Sequence, residues 1–285
     1  VAAIGGPVLA GLLTAKFNSA WPVCTLAALG ALMFAVSVVG VSPRPVAKAT
    51  EPRSVRSLLA GFSFLRREQT VLAAITLDLF AVLLGGATTL LPVFAKDILQ
   101  VGPAGLGVLV AAPYAGALIT AQVLAHRPPF RRAGRALLWS VAGFGVATIV
   151  FGFSTHFALS LGALLALGAF DAVSVVIRHV LVQVRTPEDL RGRVAAVNSV
   201  FIESSNELGG FESGAVAHLV SPVFSAVSGG VGTLVVVAAI AWRFPALRAL
   251  GELHEPADGA APPAPSPAAS PSPAAADGTA PTPAA

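Results

Sequence analysis

The sequence predicts an all-α polytopic membrane protein, and three observations carry that prediction. The chain is 55% hydrophobic and only 11% charged, with a mean hydropathy of +0.80. A soluble domain carries about 25% charged residues, so these polar side chains are too few to cover a water-facing surface. The apolar residues fall into long runs, and a membrane helix needs about 20 of them. The basic residues then collect on alternating connections between the runs, the pattern of a chain that threads the bilayer repeatedly.

Eight segments reach or approach spanning length: Val1–Ala15, Trp21–Val41, Val71–Ala95, Pro103–Ala125, Ala136–Phe153, Phe157–Val184, Val194–Val220 and Phe224–Trp242. The first is short and has no positive flank ahead of it, since Lys16 is the first basic residue. A signal peptide carries its positive region first, so a membrane helix with its beginning missing is expected. The loop 42–70 holds Arg44, Lys48, Arg53, Arg56, Arg66 and Arg67, and the loop 126–135 holds Arg127, Arg131, Arg132 and Arg135. Arg185, Arg191 and Arg193 fall on the connection 185–193, and Arg243 and Arg248 follow the last span. Fifteen of the eighteen Lys and Arg thus lie on one set of connections, which the positive-inside rule assigns to the cytoplasm together with the C-terminus. The net charge of +4 is topological and does not point to nucleic acid.

Two stretches between and beyond the spans differ from them. In the first basic loop Val55, Leu58, Leu59, Phe62 and Leu65 recur at helical spacing. They predict an amphipathic helix that either lies on the inner membrane surface or packs on the spans as a linker. After Leu253 the chain is Pro, Ala and Ser with almost no large apolar residue, so residues 251–285 read as a disordered tail.

Seven ionisable residues fall inside predicted spans: Asp78, Asp171, Arg178, Glu203, Glu207, Glu212 and His218. Each costs roughly 2.5–3.5 kcal/mol or more when it faces lipid at mid-helix, so each is expected to face an interior, a water-filled cavity or another of the set. At about 100° per residue, Glu203, Asn206, Glu207, Gly210, Gly214 and His218 form one stripe of the seventh span, with Glu212, Asn198 and Ser205 roughly opposite. Asp171, Ser174 and Arg178 share a face of the sixth, and Asp78, Gly85 and Thr89 one of the third. Counted from the connection 185–193, Arg178 is close in depth to Glu203, and Asp171 is level with Glu207. The expectation is an Arg178–Glu203 pair, either a helix lock or a working part, and an Asp171–Glu207 level where one carboxylate carries a proton. Glu212 and Asn198 are expected to bond to backbone or a neighbouring helix, and His218 to sit at the interface.

Enzyme chemistry finds no support. The histidines are scattered, and the sequence contains no HExxH, CxxC, GxSxG or GxxxxGK[ST] pattern. No metal or cofactor is expected, and the single Cys24 allows no intrachain disulfide.

Residues 180–214, VLVQVRTPEDLRGRVAAVNSVFIESSNELGGFESG, resemble the connection between helices ten and eleven of bacterial major facilitator superfamily permeases, in the branch that includes siderophore exporters. The resemblance extends through GALLALGAFDAVSVVIRHVLVQ before it and GGVGTLVVVAAIAWRFPALR after it. IGGPVLAGLL, residues 4–13, is similar to the helix-five pattern of proton-coupled antiporters, with Gly6, Pro7 and Gly11 in matching places. HRPPFRRAGR, residues 126–135, resembles the basic loop between helices eight and nine; it keeps Gly134 and Arg135 and has His126 where an acidic residue is common.

The resemblance implies a major facilitator fold lacking helices one to four. Residues 1–42 would end the N-terminal bundle as helices five and six, 43–70 form the cytoplasmic loop, and 71–250 the C-terminal six-helix bundle. It further implies a multi-pass protein of the bacterial cytoplasmic membrane that exports a small molecule (a siderophore, drug or metabolite) in exchange for protons, by alternating access. The substrate and proton pathway expected on this chain is Asp78, Asp171, Arg178, Asn206, Glu207 and Glu212. Gly134, Arg135, Arg191, Gly192 and Arg193 would form the cytoplasmic gate. The rival expectation is a non-transporting fragment, or a half-transporter that needs a separate N-terminal half.

Overall fold

The computed structural model describes residues 2–39, 62–188, 190–251 and 253, and every secondary-structure element among them is helical. Most of the expected amphipathic helix and nearly all of the Pro/Ala/Ser-rich tail lie outside the described residues. The long helices are α1 (Ala2–Phe17), α2 (Trp21–Val39), α3 (Gln69–Leu84), α4 (Gly102–Ala125), α5 (Ala133–Phe153), α6 (Phe157–Arg185), α7 (Arg191–Leu219) and α8 (Pro222–Arg243), followed by a short α9 (Pro245–Ala249). Six spans are long and apolar enough to cross a membrane, α3 counting as one with its continuation to Ile98. Two helices fall outside that set, α1 because it is short and α7 because of its charges.

Local chemistry explains where these helices start and bend. Asn18 closes α1 with a φ of 47°, a left-handed value that Asn tolerates better than most residues. Ser221 caps α8 by accepting a hydrogen bond from the Phe224 N–H at 3.1 Å, with Pro222 in the first turn, where its missing N–H costs nothing. Pro7 and Pro113 stand inside α1 and α4, and each removes one intrahelical hydrogen bond. In α3 the α-helix stops at Leu84, passes through a 3₁₀ turn at Gly86–Thr88, and resumes in an α-turn at Leu91–Val93 and a π-turn at Phe94–Ile98.

Six helices, α3 to α8, form a bundle in which α5 packs on α6 and α8, α4 on α6, and α7 on α3 and α8. The α1–α2 hairpin joins it through α1, which packs along α4. There Gly11 and Gly107 meet backbone to backbone; a Cβ on Gly107 would strike the Pro7 carbonyl, and one on Gly11 the Pro103 carbonyl. In lipid no hydrophobic drive brings helices together, so close backbone approach of this kind is what holds them. α2 makes little other contact and leaves Met33, Phe34 and Val39 exposed.

The core divides into two apolar clusters. One gathers Leu65, Val71, Leu77, Leu137, Ile177, Leu181, Val194 and Leu247 at the end of the bundle where the basic loops lie, called the basic end below. The other gathers Leu91, Phe94, Leu109, Phe151, Leu164 and Leu167 toward the opposite end, with the Phe94 and Phe151 rings 4.5 Å apart. Asp171 and Ser174 fall between the two clusters along α6, and Asp78 and Arg178 lie among the residues of the first.

Candidate functional site

The interruption of α3 opens the site. Gly85 and Gly86 stand where the α-helix ends, and Gly86 lies so close to α7 that a Cβ would overlap the Ser213 hydroxyl. Broken helical backbone at membrane depth is tolerated only where protein buries it or where it lines a water-filled cavity. Here Gly85 and Ala87 are buried in protein and the rest of the break lines a cavity. A cavity of about 540 Å³ is lined by Gly85, Gly86, Thr88 and Thr89 from the break, and by Pro113 and Tyr114 from α4. Phe144, Asp171, Asn206 and Gly210 close it from α5, α6 and α7. Tyr114 and Asn206 remain exposed, so the cavity opens to one side of the bundle.

Behind its wall is a second, much smaller space of about 10 Å³, lined by Asp78, Ala81, Val82, Val141, Phe144, Asp171 and Ser174. It has room for about one water molecule. Asp171 lines both spaces, and Ser174 stands one helical turn further along α6. One turn beyond that, Arg178 forms an ion pair with Asp78 of α3, and both residues are buried. The Ser174 hydroxyl and Arg178 Nε are buried without a hydrogen-bond partner among the described residues. A polar file therefore runs from the cavity at Asp171, past Ser174, to the Asp78–Arg178 pair.

This pairing corrects one expectation. Arg178 meets Asp78, and Glu203 is exposed on α7. Depth along a helix does not say which neighbour stands opposite. Here α3 packs against both α6 and α7 and supplies the partner. Asp78 is nine residues from the start of α3 and Arg178 seven from the end of α6, so the two also match in depth. The stripe on α7 needs a correction of the same kind. Its packed face is Val194, Asn198, Ser205, Gly209 and Ser213, while Glu203, Asn206, Glu207, Gly214 and His218 are exposed. Of that polar stripe only Asn206 and Gly210 reach the cavity wall. Glu212 is half-buried and accepts a hydrogen bond from the Ser213 hydroxyl at 3.3 Å. The Ser213 carbonyl accepts one from Ser225 of α8 at 2.9 Å.

At the basic end Arg191 holds its own connection together. Its Nε donates to the Thr186 carbonyl at 3.4 Å, and it lies 3.4 Å from the Glu188 carboxylate. Gly192 has open space around its Cα. Gly134 is packed so tightly under α9 that a Cβ would overlap the Leu247 carbonyl, and Arg135 beside it is exposed. Arg185 faces Glu68 at 3.8 Å. No group of three or more His, Cys, Asp or Glu suited to a metal occurs among the described residues.

The family model of the Major Facilitator Superfamily matches residues 1–210, about three-quarters of the chain. This chain belongs to the Major Facilitator Superfamily. It is an integral membrane protein of a transporter family. Similar curated relatives are the enterobactin exporter EntS of Escherichia coli O1:K1 / APEC, 29% identical over 233 residues, and that of Shigella boydii serotype 18, 28% identical over 230 residues. Each match covers 81% of this chain and 55% of the relative, so the chain spans about half the length of the curated relatives it matches. No solved structure gives a significant match.

Sequence reasoning named Asp78, Asp171, Arg178 and Asn206 but missed Tyr114, Pro113 and Phe144. The available signal was a proline inside an apolar span, Pro113, one residue before Tyr114, the chain's single tyrosine.

Proposed function

We propose that this major facilitator chain is the C-terminal part of a proton-coupled carrier that exports a small molecule across the bacterial cytoplasmic membrane. The observation that carries the reading is the cavity at the α3 break, with Asp171 on its wall and a polar file leading to the buried Asp78–Arg178 pair. An ionisable residue held at membrane depth beside a cavity marks an ion or substrate path. In the proposed cycle Asp171 takes a proton when the cavity faces one side and returns it when it faces the other. Loss of its charge changes the field at the Asp78–Arg178 pair and thereby the packing of α3 on α6. The connection carrying Arg191, Gly192 and Arg193 is the moving contact at the basic end, which we place in the cytoplasm together with the C-terminus. Glu207, on the exposed face of α7, is the second candidate for the proton. A siderophore is the first substrate to try, because the relatives above are named as enterobactin exporters.

A second reading is a half-transporter that works with a separate set of N-terminal helices. It is favoured by the bare surface of α2. In both readings the substrate lies between this bundle and a further one, as in carriers built from repeats.

The test is enterobactin efflux from cells making the complete gene product. Export should collapse when the pH gradient is dissipated. Asp171→Asn should reach the membrane in normal amounts yet lose the response to the gradient. Unchanged gradient-driven export in an Asp171→Asn/Glu207→Gln double variant would end the proton assignment.

A further inference from the structure

A second cavity, of about 500 Å³, lies on another part of the bundle, between α5 and α8 at the basic end. Two arginines stand at its mouth. Arg135 is the third residue of α5, and Arg248 sits on α9. The chain brings α9 back onto the start of α5, where the Gly134 N–H donates to the Leu250 carbonyl at 3.3 Å and the Ala133 N–H to the Gly251 carbonyl at 3.1 Å. Both guanidinium groups are thereby held at the same end. Deeper along the groove the lining is wholly apolar, with Leu138 and Trp139 from α5 and Val237 and Ala241 from α8 among it.

Among the described residues the charge here is unmatched. No Asp or Glu lines the groove, and neither arginine has a carboxylate partner among the described residues. Elsewhere at this end Arg185 faces Glu68 and Arg191 faces Glu188. Trp139 is 76% exposed, and Trp242, one residue from the end of α8, is 84% exposed. Exposed tryptophans of this kind mark the headgroup level of a bilayer. Two unpaired cations at that level, above an apolar seam running into the membrane, complement an amphiphile with an anionic head and an acyl tail.

We propose that this groove is a binding site for an anionic phospholipid. Its phosphodiester lies between Arg135 and Arg248, and one acyl chain runs over Leu138, Val237 and Ala241 beside Trp139. The lipid ties α9 to the α5–α8 seam. Zwitterionic lipids offer the same tail without the net charge and bind more weakly.

The experiment uses the complete gene product in mild detergent, with Trp21, Trp242 and any tryptophan outside residues 1–285 replaced by Phe so that Trp139 is the sole tryptophan. Phosphatidylglycerol brominated on its acyl chain should quench Trp139 saturably, and brominated phosphatidylcholine should do so only at much higher concentration. Arg135→Gln/Arg248→Gln should weaken the phosphatidylglycerol effect by about tenfold or more. Arg127→Gln/Arg132→Gln removes the same charge outside the groove and should leave it unchanged, and Arg135→Lys/Arg248→Lys should restore most of it. Equal quenching by the two lipids would overturn the proposal, as would an unaltered response in the glutamine pair or equal losses in both glutamine pairs. Displacement of the lipid by inorganic phosphate would also overturn it, in favour of a soluble phosphorylated ligand.

Discussion

At the scale of single residues the Asp78–Arg178 pair is the most consequential feature of the bundle. Taking two charges out of water costs several kcal/mol per ion, and their attraction offsets that only while both partners are present. Removing one strands the other in the apolar cluster that holds Leu77, Ala81, Ile177 and Leu181. Asp78→Asn should therefore destabilise the protein by about 3–5 kcal/mol, read as a large fall in thermal unfolding temperature in detergent. Asp78→Leu/Arg178→Met, which removes both charges, should recover much of the loss. A double variant as unstable as the single one would show that the pair does not act as a unit. The ion pairs at the basic end are different in kind: Arg191–Glu188 is exposed and belongs to a class worth about 0–1 kcal/mol. Sequence reasoning found Asp78 and Arg178 as charges out of place in apolar spans. It could not pair them, because periodicity fixes a residue's face and depth on its own helix and leaves the neighbouring helix unknown.

At the scale of elements, the decisive event is the end of the α3 helix at Gly85–Gly86. The break lets backbone and Thr88–Thr89 line the cavity, and the absence of a side chain at Gly86 lets α7 approach. Gly86→Ala should cost about 1–3 kcal/mol, the usual penalty for overpacking a filled site, because the new methyl meets Ser213. Adding Ser213→Gly should recover most of the unfolding temperature; no recovery would place the strain elsewhere. The helices themselves were legible from hydropathy, and with α3 counted through its continuation to Ile98 their ends fall within a few residues of the expected segments. The break was only half legible. Glycine and threonine in an apolar run signal a weak point in a helix, yet the direction the freed backbone faces depends on α4, α6 and α7 arriving from distant parts of the chain. α7 shows the reverse error. Glu203 and Glu207, expected to face inward, lie on the exposed side, since serine and glycine make the close contacts with α3 and α8.

At the scale of the whole molecule, hydropathy and charge alternation were enough to read a polytopic membrane protein. The cavity was not readable, because it is assembled from five helices that no local pattern links. The account rests on that cavity being an aqueous space inside the bundle and not a lipid-filled gap. Residues 1–285 hold one cysteine, Cys24; replacing it and any further cysteine of the complete gene product by serine gives a clean background. Single cysteines can then be placed at Asn206, on the cavity wall, and at Val235, which is 62% exposed on the apolar surface of α8. The complete gene product in intact membranes is treated with a water-soluble, membrane-impermeant maleimide, and labelling is followed over time. The account predicts rapid labelling at position 206 and almost none at position 235. No labelling at 206, or labelling no faster than at 235, would contradict it.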